Sequence, residues 1–254
     1  PLAAAYNLEH FNQRTDAAIA IGVLDDPDWQ RQVYEFFRPD TDGNILIVGA
    51  SASGKTTALR TLAIASAVTP RGGPVHVFGI DAAGGSLRNL ELMPHVGSII
   101  GGDDDERIQR LMRTLDHLLD ERAARYRAVD ASELTEFRAR AQAPDEPRIL
   151  LLVDGFPAFR GQHEAAGQQG SVYLTFQRIL AEGRSVGVHV AMSADRPASV
   201  PSAIAAAFPR KIVLRQTDDE AYAAYSLPRD VLSLNSPAGR AMQVGRPQEL
   251  QIAI

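Results

Sequence analysis

The chain contains no cysteine among its 254 residues, which excludes disulfides and thiolate metal sites. It also lacks any apolar run that approaches the roughly 20 residues needed to span a bilayer. Basic residues are not in excess, because 26 lysine and arginine residues stand against 31 aspartate and glutamate residues, for a net charge of −5. We therefore expect no chain-wide electrostatic footprint for nucleic acid, although a local basic track stays open.

The chain opens on Pro1 without an initiator methionine and without the charged-then-apolar pattern of a signal peptide. Its last residues, up to Ile254, follow directly on a strand-like segment. We expect this sequence to be a piece of a longer protein. The length suits one α/β domain with a large core.

Hydrophobic patterning predicts strands that alternate with helices. Continuous apolar runs typical of strands buried on both faces occur at residues 45–49, 75–81, 148–154, 188–194 and 210–215. A weaker alternation precedes them near residues 19–23, and a hairpin is expected over residues 239–254. Helical patterns occupy residues 55–68, 106–128, 132–141, 171–183 and 202–208. This order predicts a mainly parallel sheet with helices on both faces.

The segment GASASGKTT, residues 49–57, fits the phosphate-loop pattern G-x-x-x-x-G-K followed by Ser or Thr. It lies between a strand pattern and a helix pattern, as that motif requires. Glycine permits backbone torsions that let consecutive N–H groups point at one anion, and the helix N-terminus adds partial positive charge. The alternative is a turn that needs glycine only for its shape. The candidate cofactor-binding residues are Gly49, Ser53, Gly54, Lys55, Thr56 and Thr57.

Within this set, Lys55 is expected to reach the β- and γ-phosphates of a nucleotide, and Thr56 to offer its hydroxyl to Mg²⁺. Packing of the helix is the favoured role of Thr57. Asp154 follows the apolar run ILLLV and is predicted to hold Mg²⁺ through water at the end of a central strand. Its alternative role is to cap a turn.

The residue after Asp154 is Gly155, whereas most hydrolysing proteins of this class place a carboxylate there to polarise the attacking water. The phosphate loop and the metal ligands are intact. The sequence therefore predicts nucleotide binding more firmly than turnover. Gly155→Glu is expected to raise turnover if the site is otherwise competent.

Other polar residues near strand ends are Asp81, Arg184, Asp195 and Arg196. Either Arg184 or Arg196 could reach a terminal phosphate within the chain or across a subunit boundary, with an ordinary ion pair as the alternative for each. Together with Asp154, these two arginines are the candidate catalytic residues. Four histidines show no metal-ligand spacing and are expected to be structural, namely His76, His95, His163 and His189. No metal site other than Mg²⁺ is indicated.

Several stretches together resemble a known family. They are IAIGVLDDPDWQRQ, GNILIVGASASGKTTALRTLA, the segment from FGIDAAGG through LELMPHVG to RLMRTL, and GRSVGVHVAMSADRP. In this order they resemble the motor domain of FtsK/SpoIIIE-type ATPases, and more closely the second or third of the tandem ATPase domains of EccC/EssC, the membrane-anchored motors of type VII secretion. The resemblance covers most of the chain. It implies a RecA-like P-loop NTPase fold of the α/β class that binds ATP and Mg²⁺.

Two departures from that family pattern stand out. DNA-pumping members typically have Asp-Glu where this chain has Asp154-Gly155, and Thr-Gln-Arg-Pro where it has Ala194-Asp195-Arg196-Pro197. The first departure disfavours hydrolysis. In the second, like-charge repulsion disfavours a carboxylate beside the γ-phosphate, so we expect Asp195 to bind an arginine or a water on magnesium instead.

The resemblance implies a leading segment at residues 1–43, with a strand that leads into the core, and an ATPase core at residues 44–254. It implies a regulatory or substrate-docking domain with weak or no hydrolysis, in the cytosolic part of a membrane-anchored protein but without direct membrane contact. Expected partners are neighbouring ATPase domains of the same chain or of a hexameric ring, and the signal sequence of a secreted protein. Two alternatives stay open: a DNA translocase domain acting on duplex DNA, and a nucleotide-binding interaction platform without turnover.

Overall fold

The computed structural model of the chain describes residues 2–164 and 172–254. Ten strands in this part of the chain form one sheet in the order β2-β1-β10-β9-β8-β3-β7-β6-β4-β5. The strands are β1 (Ile19–Asp26), β2 (Arg31–Phe37), β3 (Ile45–Val48), β4 (Val75–Asp81), β5 (Val96–Gly101), β6 (Arg148–Asp154), β7 (Val188–Ala194), β8 (Arg210–Leu214), β9 (Arg240–Gln243) and β10 (Arg246–Ile252).

The run from β8 to β5 is parallel, and β3 lies inside it between β7 and β8. Every residue of β3, β6 and β7 is buried, which explains their continuous apolar sequence. The remaining strands pair antiparallel, including the C-terminal hairpin of β9 and β10. The mainly parallel sheet and the C-terminal hairpin are confirmed.

Helices cover both faces of this sheet. In the described ranges they are α1 (Pro39–Asp42), α2 (Lys55–Ala65), α3 (Asp105–Arg127), α4 (Leu134–Arg140), α5 (Phe156–His163), α6 (Val172–Glu182), α7 (Ser202–Ala206) and α8 (Glu220–Ala223). Ile45 and Ile47 of β3 pack in one apolar cluster with α2. Leu46 and Val48 point to the other face and pack in a second cluster with α3, α5 and α6. Within the ranges described, no helix combines the length and the apolar character needed to cross a membrane.

Two strands, β2 and β5, and three helices, α1, α5 and α8, escape the sequence prediction. β2 pairs with β1 at one edge of the sheet, and β5 pairs with β4 at the other. Both strands carry exposed positions, so neither shows a continuous apolar run. Helix α5 begins directly after Gly155, and its first two residues are Phe156 and Pro157. The first residue of the predicted 171–183 helix, Ser171, lies outside the described residues.

A buried ion network joins the leading segment to the N-terminal ends of the parallel strands. The Arg148 guanidinium contacts Asp16 at 2.8 Å and Asp40 at 2.6 Å. Its Nη1 also donates to Nε2 of His189 at 2.8 Å, while Nδ1 of His189 lies 2.8 Å from the Gly43 carbonyl. Burial and the Arg148 charge hold the pKa of His189 well below its ordinary value, so this imidazole is neutral. The structural role expected of His189 follows from these contacts.

Candidate nucleotide-binding site

The predicted site residues lie together at the C-terminal ends of the parallel strands. β3 leads into the phosphate loop, β6 ends at Asp154, and β7 leads into Asp195 and Arg196. Since β3, β7 and β6 are neighbours in that order, their ends lie side by side. These strand ends are where open α/β sheets place their ligands.

Gly54 of the phosphate loop has a backbone torsion of the kind that glycine was expected to allow. Gly54 has φ of +110°, and a Cβ there would lie 2.7 Å from the backbone nitrogen of Gly239. A Cβ on Gly49 would collide with the Ser53 hydroxyl, which is buried. The loop is tied to its neighbours by the Gly49 N–H, which donates to the Ala194 carbonyl at 3.1 Å. A side chain at either glycine would collide with neighbouring atoms of the protein, so the observed shape of the loop requires glycine at both positions.

Lys55 begins helix α2 and turns back over the loop. Its ammonium donates to the carbonyls of Gly49 at 2.7 Å and Ala50 at 2.9 Å. The same nitrogen lies 3.2 Å from Oδ1 of Asp195. The structure thus pairs the Asp195 carboxylate with the loop lysine instead of the expected arginine, while the expected contact with a water on magnesium stays a prediction.

Asp154 is fully buried and is held by hydroxyl groups from two different elements. The Thr56 hydroxyl donates to Oδ2 at 2.6 Å, and the Ser193 hydroxyl donates to Oδ1. The backbone N–H of Gly155 in turn donates to the Ser193 oxygen at 2.9 Å. A hydroxyl and a carboxylate therefore meet at the phosphate loop, and these oxygen donors suit Mg²⁺.

Ser193 is a site residue that the sequence reasoning missed. It is the one polar residue near the end of the buried strand β7, whose other late positions are Ala191, Met192 and Ala194. That isolated polar position was the available signal. Its meaning depended on β6 and β7 being neighbours.

Gly155 occupies a backbone conformation that favours glycine, with φ of +82°. A Cβ there would lie 3.0 Å from the carbonyl carbon of Ala82 and 3.1 Å from Cβ of Ala83. The position at which hydrolysing proteins of this class carry a carboxylate thus has, in this chain, a backbone conformation that favours glycine. Higher turnover in Gly155→Glu stays a prediction, and the structure adds that this substitution would strain the loop.

A cleft of about 300 Å³ opens between the phosphate loop and the end of β6. Its lining includes Lys55, Thr56, Ser193 and the carboxylates of Asp154 and Asp195. A smaller cleft of about 210 Å³ shares Lys55 and Thr56 with the first and is also lined by Gly54, Thr57 and Ala238. Thr57 therefore borders the site. Among the described residues, no cluster of three or more histidine or acidic side chains could hold a metal on its own.

The two candidate arginines lie at opposite ends of strand β7. Arg196 follows β7, so it lies at the C-terminal ends of the parallel strands with the phosphate loop, and it is exposed. Arg184 precedes β7, and its Nε donates to the backbone carbonyl of Asp40 at 2.8 Å. The structure therefore does not bring Arg184 to the phosphate loop of its own chain. Its role across a subunit boundary stays a prediction.

Asp81 ends β4 but has a structural task. Its Oδ1 accepts the backbone N–H groups of Ala83 at 3.2 Å and Gly85 at 3.1 Å, and its Oδ2 accepts that of Leu87 at 2.8 Å. These bonds shape the loop that carries Ala82 and Ala83 against the main cleft. Asp81 is thereby occupied as a loop-forming acceptor.

Arg215 supports the phosphate loop from the end of β8, and the sequence reasoning missed it. Its guanidinium donates to the carbonyl of Ala52 at 2.9 Å. It also donates to the carbonyls of Leu234 at 3.1 Å and Ser236 at 3.0 Å. The loop is thus joined to the segment that precedes β9. Ala52 itself has φ of +54°, so this arginine braces a strained turn.

Solved structures share this architecture. Superposition on EssC (ATPases 2 and 3) from Geobacillus thermodenitrificans gives a TM-score of 0.85 at 22% identity, covering 100% of this chain and 47% of that one. For Thermomonospora curvata EccC (ATPases 2 and 3) in complex with a signal sequence peptide, the TM-score is 0.82 at 24% identity, covering 100% of this chain and 45% of that one. These likenesses establish the fold, a RecA-like P-loop ATPase architecture.

Sequence comparison extends the likeness. The ESX-4 secretion system protein EccC4 of Mycobacterium tuberculosis is 33% identical over 209 residues, which are 81% of this chain and 16% of that protein. The chain thus spans only a small part of that relative. The domain model of the FtsK/SpoIIIE family matches residues 7–244. With the phosphate loop and Asp154 at the expected ends of the parallel strands, the chain belongs to the FtsK/SpoIIIE family.

Proposed function

We propose that this chain is an ATP·Mg-binding domain of a type VII protein secretion motor, in which nucleotide binding outweighs hydrolysis. The observation that carries the binding part is the contact between Thr56 and Asp154 at the phosphate loop. Lys55 and the loop N–H groups would hold phosphates, and the Thr56 and Asp154 oxygens would hold Mg²⁺. A bound magnesium ion would neutralise phosphate charge there.

Weak turnover follows from the carboxylates that the cleft offers. Asp154 is held by two hydroxyls and is the candidate metal ligand. Position 155 has no side chain, and Asp195 is paired with Lys55. The chain therefore lacks a carboxylate at position 155, where hydrolysing proteins of this class place the one that polarises water, and general-base catalysis is typically worth roughly 10²–10⁴-fold in rate.

The secretion context rests on the likeness to EccC4 and to the EssC and EccC domains. Because the matched relatives are much longer, we propose that neighbouring ATPase domains flank residues 1–254, with residues 1–43 leading into a core at 44–254. One solved relative is in complex with a signal sequence peptide. We propose that this domain likewise docks or responds to such a peptide, in the cytosolic part of a membrane-anchored motor.

Arginines complete the proposed site. Arg196 lies at the same end of the strands as the phosphate loop and is exposed, so it is available to a nucleotide or to an adjoining domain. Arg184 lies at the opposite end, where only a nucleotide held by another subunit or domain could meet it. Both roles are of the arginine-finger type.

The binding part is tested by calorimetric titration of ATP·Mg into the purified chain and its Lys55→Ala variant. Loss of binding in the variant, with an unchanged melting temperature, supports the assignment. Arg60→Ala is a matched control, because Arg60 is an exposed cation on the same helix α2. Equal affinity of Lys55→Ala and the wild type would refute it.

A further inference from the structure

The protein itself supplies a complete set of acceptors to the Lys55 ammonium. An ammonium carries three N–H donors, and the structure gives Lys55 three oxygen partners. Two are the backbone carbonyls of Gly49 and Ala50, at 2.7 Å and 2.9 Å. The third is Oδ1 of Asp195 at 3.2 Å. A phosphate that binds Lys55 must therefore replace at least one of these partners.

Asp195 is the partner that can be replaced without disturbing the fold. The carbonyls belong to the loop backbone, whereas the Asp195 side chain is 69% exposed and can turn into solvent. Its backbone is fixed beside the loop, because the carbonyl of the preceding Ala194 accepts the Gly49 N–H. The Lys55 side chain is only 13% exposed and lines the cleft.

Asp195 also lines the cleft that contains the Asp154 carboxylate and the Thr56 hydroxyl. A polyphosphate that enters this cleft brings negative charge toward Asp195 while it takes the lysine. The terminal phosphate adds to that charge, so a triphosphate meets more repulsion than a diphosphate. Magnesium reduces this repulsion for both nucleotides but does not abolish the difference of one phosphate.

We propose that Asp195 is a specificity-determining residue that competes with the terminal phosphate for Lys55 and so narrows the preference of the site for ATP over ADP. This inference rests on the proposed function, because it assumes a nucleotide site at the phosphate loop. Its consequence is a domain whose occupancy depends less on the exchange of ATP for ADP than it would with an uncharged residue at position 195.

The test is calorimetric titration of ATP·Mg and ADP·Mg into the wild type and Asp195→Asn. This substitution removes the charge while keeping the shape, and exposure of the side chain makes it compatible with the fold. We expect the affinity for ATP·Mg to rise about tenfold and that for ADP·Mg by less than about threefold, with both changes shrinking at high salt. Asp145→Asn, an exposed acid that precedes β6 at the opposite end of the parallel strands, is the control for charge alone and should change neither affinity.

Unchanged affinities in Asp195→Asn, or equal changes for the two nucleotides, would overturn the inference while leaving the proposed function intact. A fall in ATP·Mg affinity would also overturn it, by showing that the carboxylate helps to hold the metal complex. If the wild type bound neither nucleotide, the proposed function itself would fail and this inference with it.

Discussion

The hydroxyl of Thr56 donates a 2.6 Å hydrogen bond to Oδ2 of Asp154, which joins the first turn of α2 to the end of β6. The two residues are 98 positions apart in the chain, and both are among the candidate metal ligands. Removing the hydroxyl takes away one proposed oxygen ligand of Mg²⁺. It also leaves the buried Asp154 carboxylate with one hydrogen-bond donor fewer. In the proposed site Mg²⁺ raises the affinity for ATP. We expect Thr56→Val to reduce this increase about tenfold.

The measurement is nucleotide titration with Mg²⁺ and with chelator, for Thr56→Val and for Thr56→Ser. The serine variant keeps the hydroxyl and should retain the magnesium effect. Thr56→Val should also lower the free energy of unfolding by about 1–2 kcal/mol, because a buried acceptor loses a donor. A magnesium effect that survives in the valine variant would remove Thr56 from the metal site.

Gly155 is predicted to resist substitution for a backbone reason. Its φ of +82° and the 3.0 Å approach to the Ala82 carbonyl carbon mean that any side chain is strained. We expect Gly155→Glu to lower the free energy of unfolding by about 1–3 kcal/mol in urea denaturation. Gly161→Ala is the control in helix α5, which directly follows Gly155, because an added Cβ at position 161 meets nothing within 4 Å. The control should be neutral or slightly stabilising, and equal stability of the two variants would contradict this reading.

Arg215 is expected to set the shape of the phosphate loop through the Ala52 carbonyl. Arg215→Met removes the contacts to Ala52 and to the segment before β9, so the loop relaxes and ATP·Mg affinity should fall about tenfold. Arg229→Met, at an exposed position outside these contacts, should leave affinity unchanged. Titration of both variants checks the prediction, and wild-type affinity in Arg215→Met would show that the loop keeps its shape without the arginine.

The neutral state of His189 makes folding stability depend on pH. Burial and the Arg148 charge lower its pKa in the folded state, whereas the unfolded chain titrates near 6.5. Below about pH 6.5 the unfolded state therefore binds a proton that the folded state refuses, and the free energy of unfolding falls as pH falls. The slope from this group reaches at most about 1.4 kcal/mol per pH unit.

Urea denaturation at several pH values between 8 and 5 checks this prediction in the wild type and in His189→Gln. The variant should show a shallower loss of stability across that range, whatever its absolute stability. His76→Gln, at an exposed position, should keep the wild-type slope. Equal slopes in all three proteins would show that His189 does not carry the pH dependence.

The sequence anticipates the centre of the fold better than its edges. β3, β6 and β7 are buried on both faces, so the sequence of each is a largely continuous apolar run, which predicts a strand. β2 and β5 form the two edges, and their partly exposed positions break that pattern.

The candidate site divides in the same way. The phosphate loop is local, and its spacing reveals it directly. Ser193 and Arg215 reach the site only through the order of β8, β3, β7 and β6, which no local pattern specifies. The pairing of Asp195 with Lys55 depends on the same order, and so an acid at position 195 could not be matched to its partner from the sequence.

The central claim, that this domain binds ATP·Mg but turns it over weakly, is tested most directly by one paired measurement. ATP·Mg titration and steady-state phosphate release are measured on the same purified chain, each with and without duplex DNA, with Lys55→Ala as the blank. The account predicts saturable binding with phosphate release close to the blank and indifferent to DNA. Phosphate release that is stimulated by duplex DNA would contradict it, because a carboxylate other than one at position 155 would then activate water in a DNA translocase.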